Sequence, residues 1–174
     1  KMLFNQLAQG TINSSGFDLN GMWSPWYDLH KTYAGLRDAY RYTGNRTALE
    51  LEIKFAAWAE GILANLSEGL IQRMLNTEFG GMNEVLADLY ADTGDQRWLA
   101  LSGRFHHRAI VVPLARHQDI LAGKHGNTQV PKLMGSLARF ILTGDAGEGF
   151  AAGFFWDRVV QNHSFATGGH GRNE

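Results

Sequence analysis

The chain has 174 residues and no cysteine. Within it no disulfide framework, thiolate zinc site, cysteine nucleophile or redox pair can form. Charge of one sign is not in excess either: 16 basic residues face 17 acidic ones, for a net charge of −1. That balance gives no support to a nucleic-acid or membrane-surface partner, both of which normally draw on a basic excess. Long apolar runs are missing. The longest, such as residues 109–114 and 150–156, fall far short of the roughly 20 residues that cross a bilayer. The opening residues, Lys1-Met2-Leu3-Phe4-Asn5-Gln6, carry one positive charge but no apolar core segment and no small-residue cleavage site, as expected of a mature or trimmed terminus. What is present supports a packed core: 44% of the residues are apolar and 19% charged, in a length that suits one domain. Only 3 prolines stand against 21 glycines, a loop-rich balance, and the glycines cluster.

Three short segments repeat: Thr43-Gly44-Asn45, Thr93-Gly94-Asp95 and Thr143-Gly144-Asp145, spaced 50 residues apart each time. Glycine supplies the left-handed conformation that ends a helix, and the following Asn or Asp can cap the next one. Each copy is therefore expected to join two antiparallel helices. The flanks agree. Leu29, Tyr33, Leu36 and Tyr40 precede the first turn at helical spacing; Met82, Val85, Leu86, Leu89 and Tyr90 precede the second; Leu133, Leu137, Phe140 and Ile141 precede the third. Leu49, Ile53 and Ala56, then Trp98, Leu101 and Phe105, then Phe150, Phe154 and Phe155 follow the turns at the same spacing. No stretch alternates long enough for a strand. The chain is expected to be all-α, with three helical hairpins of period 50. Longer connections at residues 13–25, 67–81 and 123–131 lead into the first helix of each pair. Tight turns at one end and elaborate loops at the other fit an α/α toroid with its site at one mouth, and fit an α-solenoid almost as well.

Chemistry-bearing residues gather where those long connections meet the first helices. Trp23, Trp26 and Tyr27 beside Asp28, His30 and Lys31 suit a sugar, which presents apolar ring faces and rims of hydroxyls; the residues alone favour the plainer alternative, a hydrophobic helix entry with a solvent-facing His-Lys pair. Glu78-Phe79-Gly80-Gly81-Met82-Asn83-Glu84 offers close backbone approach and free helix N–H groups to hydroxyl or anionic ligands, while Glu84 also complements the helix dipole. His125, Asn127, Thr128, Gln129 and Lys132 form a dense donor–acceptor array, with Thr128 an alternative N-cap and Pro131 tolerated in the first turn. Thr167-Gly168-Gly169-His170-Gly171-Arg172-Asn173-Glu174 is glycine-rich and ends on a carboxylate, without the pattern of a P-loop or a dinucleotide fingerprint. His106, His107, His117 and His125 match no paired metal-ligand spacing, and adjacent His106 and His107 cannot share one helix face. There is no Gly-x-Ser-x-Gly elbow.

At these segments the chain resembles glycoside hydrolase family 127 and its relative family 146, the β-L-arabinofuranosidase-like enzymes. The matching stretches are Leu29-His30-Lys31 with Ala34-Gly35-Leu36; Glu78 to Glu84 with Leu86-Ala87-Asp88-Leu89-Tyr90; His125-Gly126-Asn127-Thr128-Gln129-Val130-Pro131-Lys132; Phe155-Trp156; and Thr167-Gly168-Gly169 followed by Glu174. The resemblance implies an (α/α)6 barrel catalytic domain, of which residues 1–174 with three hairpins would be a part. It implies a retaining exo-glycosidase acting on terminal furanosides, β-L-arabinofuranosides first, in which a zinc-bound cysteine thiolate attacks the anomeric carbon. Carried over by motif, Glu174 is the candidate general acid/base and His125 a sugar-contacting histidine. His30, Lys31, Glu78, Asn83, Asn127, Gln129 and His170 are candidate substrate-binding residues. A histidine that some members carry near Met82 is missing here, which bears on specificity. No metal ligand is assigned within the chain: the resemblance puts the nucleophile and the zinc-binding Cys and Glu residues of a full-length protein beyond Glu174, and an isolated piece is expected to be inactive. Expected partners are a carbohydrate substrate, no nucleic acid and no membrane, with self-association through exposed hairpin faces. Two other readings stay open: a non-catalytic carbohydrate-binding helical repeat, and another sugar-active α/α toroid such as a lyase or an epimerase.

Overall fold

The computed structural model describes residues 24–170, which hold eight helices and no strand. In chain order these are α1 (Pro25–Thr43), α2 (Arg46–Leu63), α3 (Glu68–Met74), α4 (Met82–Thr93), α5 (Gln96–Arg104), α6 (Arg108–Ala115), α7 (Gly126–Thr143) and α8 (Ala146–Asn162). The three hairpins are α1–α2, α4–α5 and α7–α8; α3 and α6 are short helices inside the long connections.

The repeated tripeptide is one structure built three times. Gly44, Gly94 and Gly144 have φ of 71°, 73° and 72°, and their amides donate to the carbonyls of Tyr40, Tyr90 and Phe140. A side chain is strained at such φ values, which explains the glycine. The next residue caps the following helix: Asn45 accepts from Ala48 N–H at 3.2 Å, Asp95 from Arg97 N–H at 3.0 Å and Asp145 from Gly147 N–H at 2.9 Å. Each such cap is worth about 1 kcal/mol. The threonine closes the motif from the other side, donating to Ala39, Leu89 and Arg139 carbonyls. Thr93 and Thr143 also accept from the Asp95 and Asp145 amides.

The first helices of the hairpins stand side by side, α4 packing on both α1 and α7, while α2, α5 and α8 back them. Their starts, and with them the long connections, therefore lie at one end of the row, and the Thr-Gly-Asx turns lie at the other. One apolar core joins the first two hairpins and α3, around Trp26, Tyr33, Phe79, Trp98 and Phe105. A second, around Ile110, Leu114, Leu133 and Phe155, joins α6 to the third hairpin. Trp26 belongs to the first core: its ring meets Phe105 edge-on at 5.2 Å and its indole N–H reaches Met74 Sδ. It is a packing residue, and Trp23 lies outside the described residues.

The joint between the second and third hairpins is polar. Asn83 Nδ2 donates to the Lys132 carbonyl at 2.8 Å, and Ser102 Oγ donates to the Asn83 carbonyl at 2.6 Å. Arg139 donates to the Leu99 carbonyl, Ser102 Oγ and Glu148 Oε1 at 3.0, 3.1 and 3.1 Å. His106 Nδ1 meets the same Glu148 oxygen at 2.9 Å. Burial alone would raise the Glu148 pKa; hydrogen bonding and charge from His106 and Arg139 outweigh it and the carboxyl titrates below its usual range.

One period further along, the register turns apolar. Asn83, Leu99 and Ser102 correspond to Leu133, Gly149 and Ala152, which with Leu137, Phe150 and Trp156 line a groove of about 800 Å³ on the third hairpin. Leu137, Phe150 and Trp156 are exposed there. No helix among the described residues is long and apolar enough to cross a membrane.

Candidate active site

The site is built at the loop end. The connection before α4 turns at Gly80, with φ of +58°. A Cβ on Gly80 would overlap the imidazole of His30, and one on Gly81 would crowd the Glu84 carboxylate. Gly80 is thus required by the close packing of the turn on α1, while Gly81 leaves room for a side chain of α4 itself. His30 itself is buried, edge-on to Tyr27 at 4.8 Å, and its Nδ1 has no hydrogen-bond partner among the described residues. Burial, followed by the charge of Lys31, holds its pKa below the usual histidine value.

α7 begins earlier than the sequence spacing suggested. His125 occupies the N-cap position and Pro131 lies inside the helix, so Thr128 is a helical residue and no cap. This places Thr128, Gln129 and Lys132 on one buried face at i, i+1 and i+4, and leaves Asn127 exposed. Thr128 Oγ1 donates to Glu78 Oε1 at 3.2 Å, and His125 Nε2 meets that oxygen at 3.3 Å. Beside them lies a pocket of about 500 Å³ whose lining includes Lys124, His125, Gln129, Phe155, His163 and His170. Its size is that of a small-ligand site. Gln129 is buried with Oε1 unpaired among the described residues, and His163 Nε2 is held by Asp119 Oδ2 at 2.8 Å.

The sequence-derived residues therefore divide. His125, Gln129 and His170 share the pocket, and Glu78 joins through His125. Asn83 lies at the joint between α4 and α7, where a Cβ on Gly135 would overlap its amide; its Oδ1 is a further buried atom without a partner among the described residues. Lys31 is exposed, its ammonium 5.1 Å from the Tyr27 ring centre. Lys31, Asn127, His30 and Asn83 are not among the pocket's lining. Glu174 lies outside the described residues. Glu84, half-buried in the first turn of α4, has its pKa raised by burial and by Asp88.

Two residues whose meeting the sequence does not show, Lys132 of the donor–acceptor array and His107, form a buried pair beneath Glu78. Lys132 Nζ lies 3.0 Å from His107 Nδ1, 3.4 Å from the Leu75 carbonyl and 4.9 Å from the Phe79 ring centre. His107 Nε2 meets Asn76 Oδ1 at 3.1 Å. Burial lowers the Lys132 pKa to about 7 and that of His107, with the Lys132 charge adding to it, to about 3. In the sequence Lys132 stands only as one member of the donor–acceptor array; its burial on α7 is what the structure adds.

Among the described residues no three His, Asp or Glu side chains converge to hold a metal ion. These residues alone do not make up a zinc site, whose ligands the resemblance puts beyond Glu174.

Helical hairpins in a row, with polar side chains and an aromatic ring gathered in a pocket at their loop end, define an all-α toroid arranged as a partial barrel. The family model described as β-L-arabinofuranosidase, GH127 catalytic domain, matches residues 5–174, and the chain belongs to that family. Its parent is a glycoside hydrolase, and its substrate class is carbohydrate. No match was found among the curated proteins.

Proposed function

We propose that this chain is the part of a retaining exo-glycosidase that binds a non-reducing terminal furanoside, β-L-arabinofuranosyl first, and supplies Glu174 as general acid/base. The observation that carries the reading is the pocket: His125 and His170 offer ring nitrogens, the buried Gln129 Oε1 offers an acceptor without a partner among the described residues, and Phe155 offers an apolar face. A furanose presents hydroxyls and a C–H face that match this set. Lys31, Asn127, His30 and Asn83 are outside the pocket's lining and carry no role in this reading. The thiolate attack implied by the family resemblance cannot come from a chain without cysteine, so the chain alone is assigned binding and proton transfer, with nucleophile and zinc ligands supplied by other residues of the parent.

The test is kinetic. In the full-length enzyme, Glu174→Gln should slow aryl β-L-arabinofuranosides most when the leaving group is poor, since those need protonation; loss of about 10²-fold or more is expected there. Equal loss on all leaving groups removes Glu174 from the acid role. Supplied alone, the chain should bind the sugar without turning it over; turnover would overturn the division of labour. Sugar binding by the parent with no hydrolysis of any glycoside would favour a non-catalytic module instead.

A further inference from the structure

A lysine buried in a helix interface is expensive, because a methionine or leucine fills the same space without desolvating an ammonium. Lys132 is 1% exposed. Its polar and aromatic contacts converge on one short segment. The Leu75 carbonyl and the Phe79 ring are in that segment, and His107 passes the contact on to Asn76, also in it. Glu78 is the only ionisable residue of the five from 75 to 79. One helical turn before Lys132, Thr128 donates to the Glu78 carboxylate itself. α7 therefore grips the segment twice, once on the Glu78 carboxylate and once beneath it, while Glu78 in turn meets His125 at the pocket wall.

We propose that Lys132 is a positioning residue: shared between His107 Nδ1, the Leu75 carbonyl and the Phe79 ring, it ties the 75–79 segment to α7 and so fixes Glu78 where it orients His125 toward the sugar. The hydrogen-bond polarity is consistent. A neutral His107 can donate from Nε2 to Asn76 Oδ1 and accept from Lys132 at Nδ1, and its lowered pKa keeps it neutral across the physiological range. Around Lys132, Glu78 favours the ammonium while Lys124 opposes it. The proposal rests on the pocket being the sugar site, and its test has an arm that does not.

Lys132→Met removes the contacts at their centre; Asn76→Ala removes the far end at an exposed residue, so its core is left intact. In the full-length enzyme, both variants should shift the His125 imidazole ¹⁵N signals in the same direction as Glu78→Gln, Lys132→Met the more. In kinetics on an aryl β-L-arabinofuranoside, Lys132→Met should raise KM about tenfold with the leaving-group dependence of kcat unchanged. Added to Glu78→Gln, it should cost little more, because both act through the same carboxylate. His125 signals that stay in place in the folded Asn76→Ala enzyme overturn the proposal, as does a Lys132→Met enzyme with unchanged KM and additive effects. A wild-type enzyme inert toward arabinofuranosides would sink the sugar reading alone, and the imidazole signals would still decide the role of Lys132.

Discussion

Gly80 and His30 pack so closely that a methyl group on the glycine would overlap the imidazole. The contact joins the mouth loop of the second hairpin to the first helix of the first, and Gly80 also holds a φ of +58°. Gly80→Ala should therefore cost on the order of 2–4 kcal/mol, the strained φ and the overlap together. His30→Ala in the same chain should return part of that loss by making room, leaving the backbone strain. Urea unfolding of the two single variants and the double variant checks this. Strict additivity would mean that the two residues do not meet.

Glu52 sets a pH dependence of stability. It is fully buried in α2, both carboxylate oxygens lack a partner among the described residues, and burial, then Asp92, raises its pKa from 4.5 to about 8. The folded state thus binds a proton that the unfolded state releases between those values. The stabilisation is complete below about pH 4.5 and is lost as pH rises through 8. His107 and Lys132, with lowered pKa values near 3 and 7, act oppositely, adding stability as pH rises from 3 to 6.5 and from 7 to 10.5. The difference between wild type and Glu52→Gln isolates the carboxyl. Wild type should lose stability relative to the variant from pH 5 to 8; a flat difference would show that Glu52 titrates normally.

The parts legible in the sequence were those decided by neighbours in the chain. Thr-Gly-Asx needs only its own backbone to form, so three copies at equal spacing announced three hairpins and placed their turns. α3 escaped because seven residues are too few to show a period, although Ser67 caps it at Leu70 N–H. α6 escaped because residues 109–114 read as a plain apolar run containing Pro113. Pro131 suggests a first turn and so a later start for α7 than the structure shows; the exposed Asn127, four residues earlier, is the one whose carbonyl loses its helical donor. Lys132 and His107 lie 25 residues apart and meet only because α7 packs near the start of α6. Nothing local to either residue encodes that meeting.

Arg139 holds the polar joint, bridging the Leu99 carbonyl, Ser102 and the buried Glu148. Arg139→Leu would leave the Glu148 carboxylate, 4% exposed, with His106 as its remaining ion-pair partner. A buried charge deprived of its partner costs about 3–5 kcal/mol. Arg139→Leu combined with Glu148→Leu should be markedly less damaging than Arg139→Leu alone, since no charge is then stranded. Thermal unfolding of the three variants measures it; a double variant as unstable as the sum would mean that the pair is not coupled.

The apolar groove on the third hairpin should make the 174-residue chain associate with a second copy. The positions equivalent to Leu133, Gly149 and Ala152 on the second hairpin are Asn83, Leu99 and Ser102, and those carry the joint to the third. The groove thus stands where a helical hairpin packs one period earlier, with Leu137, Phe150 and Trp156 exposed around it. Exposed apolar patches of this extent drive association. Sedimentation at rising concentration should show a dimer of the 174-residue chain, and Trp156→Glu with Phe150→Glu should return it to monomer with helical content unchanged. Both residues are solvent-exposed, so a loss of folding is not expected from the charges. A wild-type chain that stays monomeric at 100 µM, a concentration on the order of a weak dimer's Kd, would show that the groove does not pair with itself.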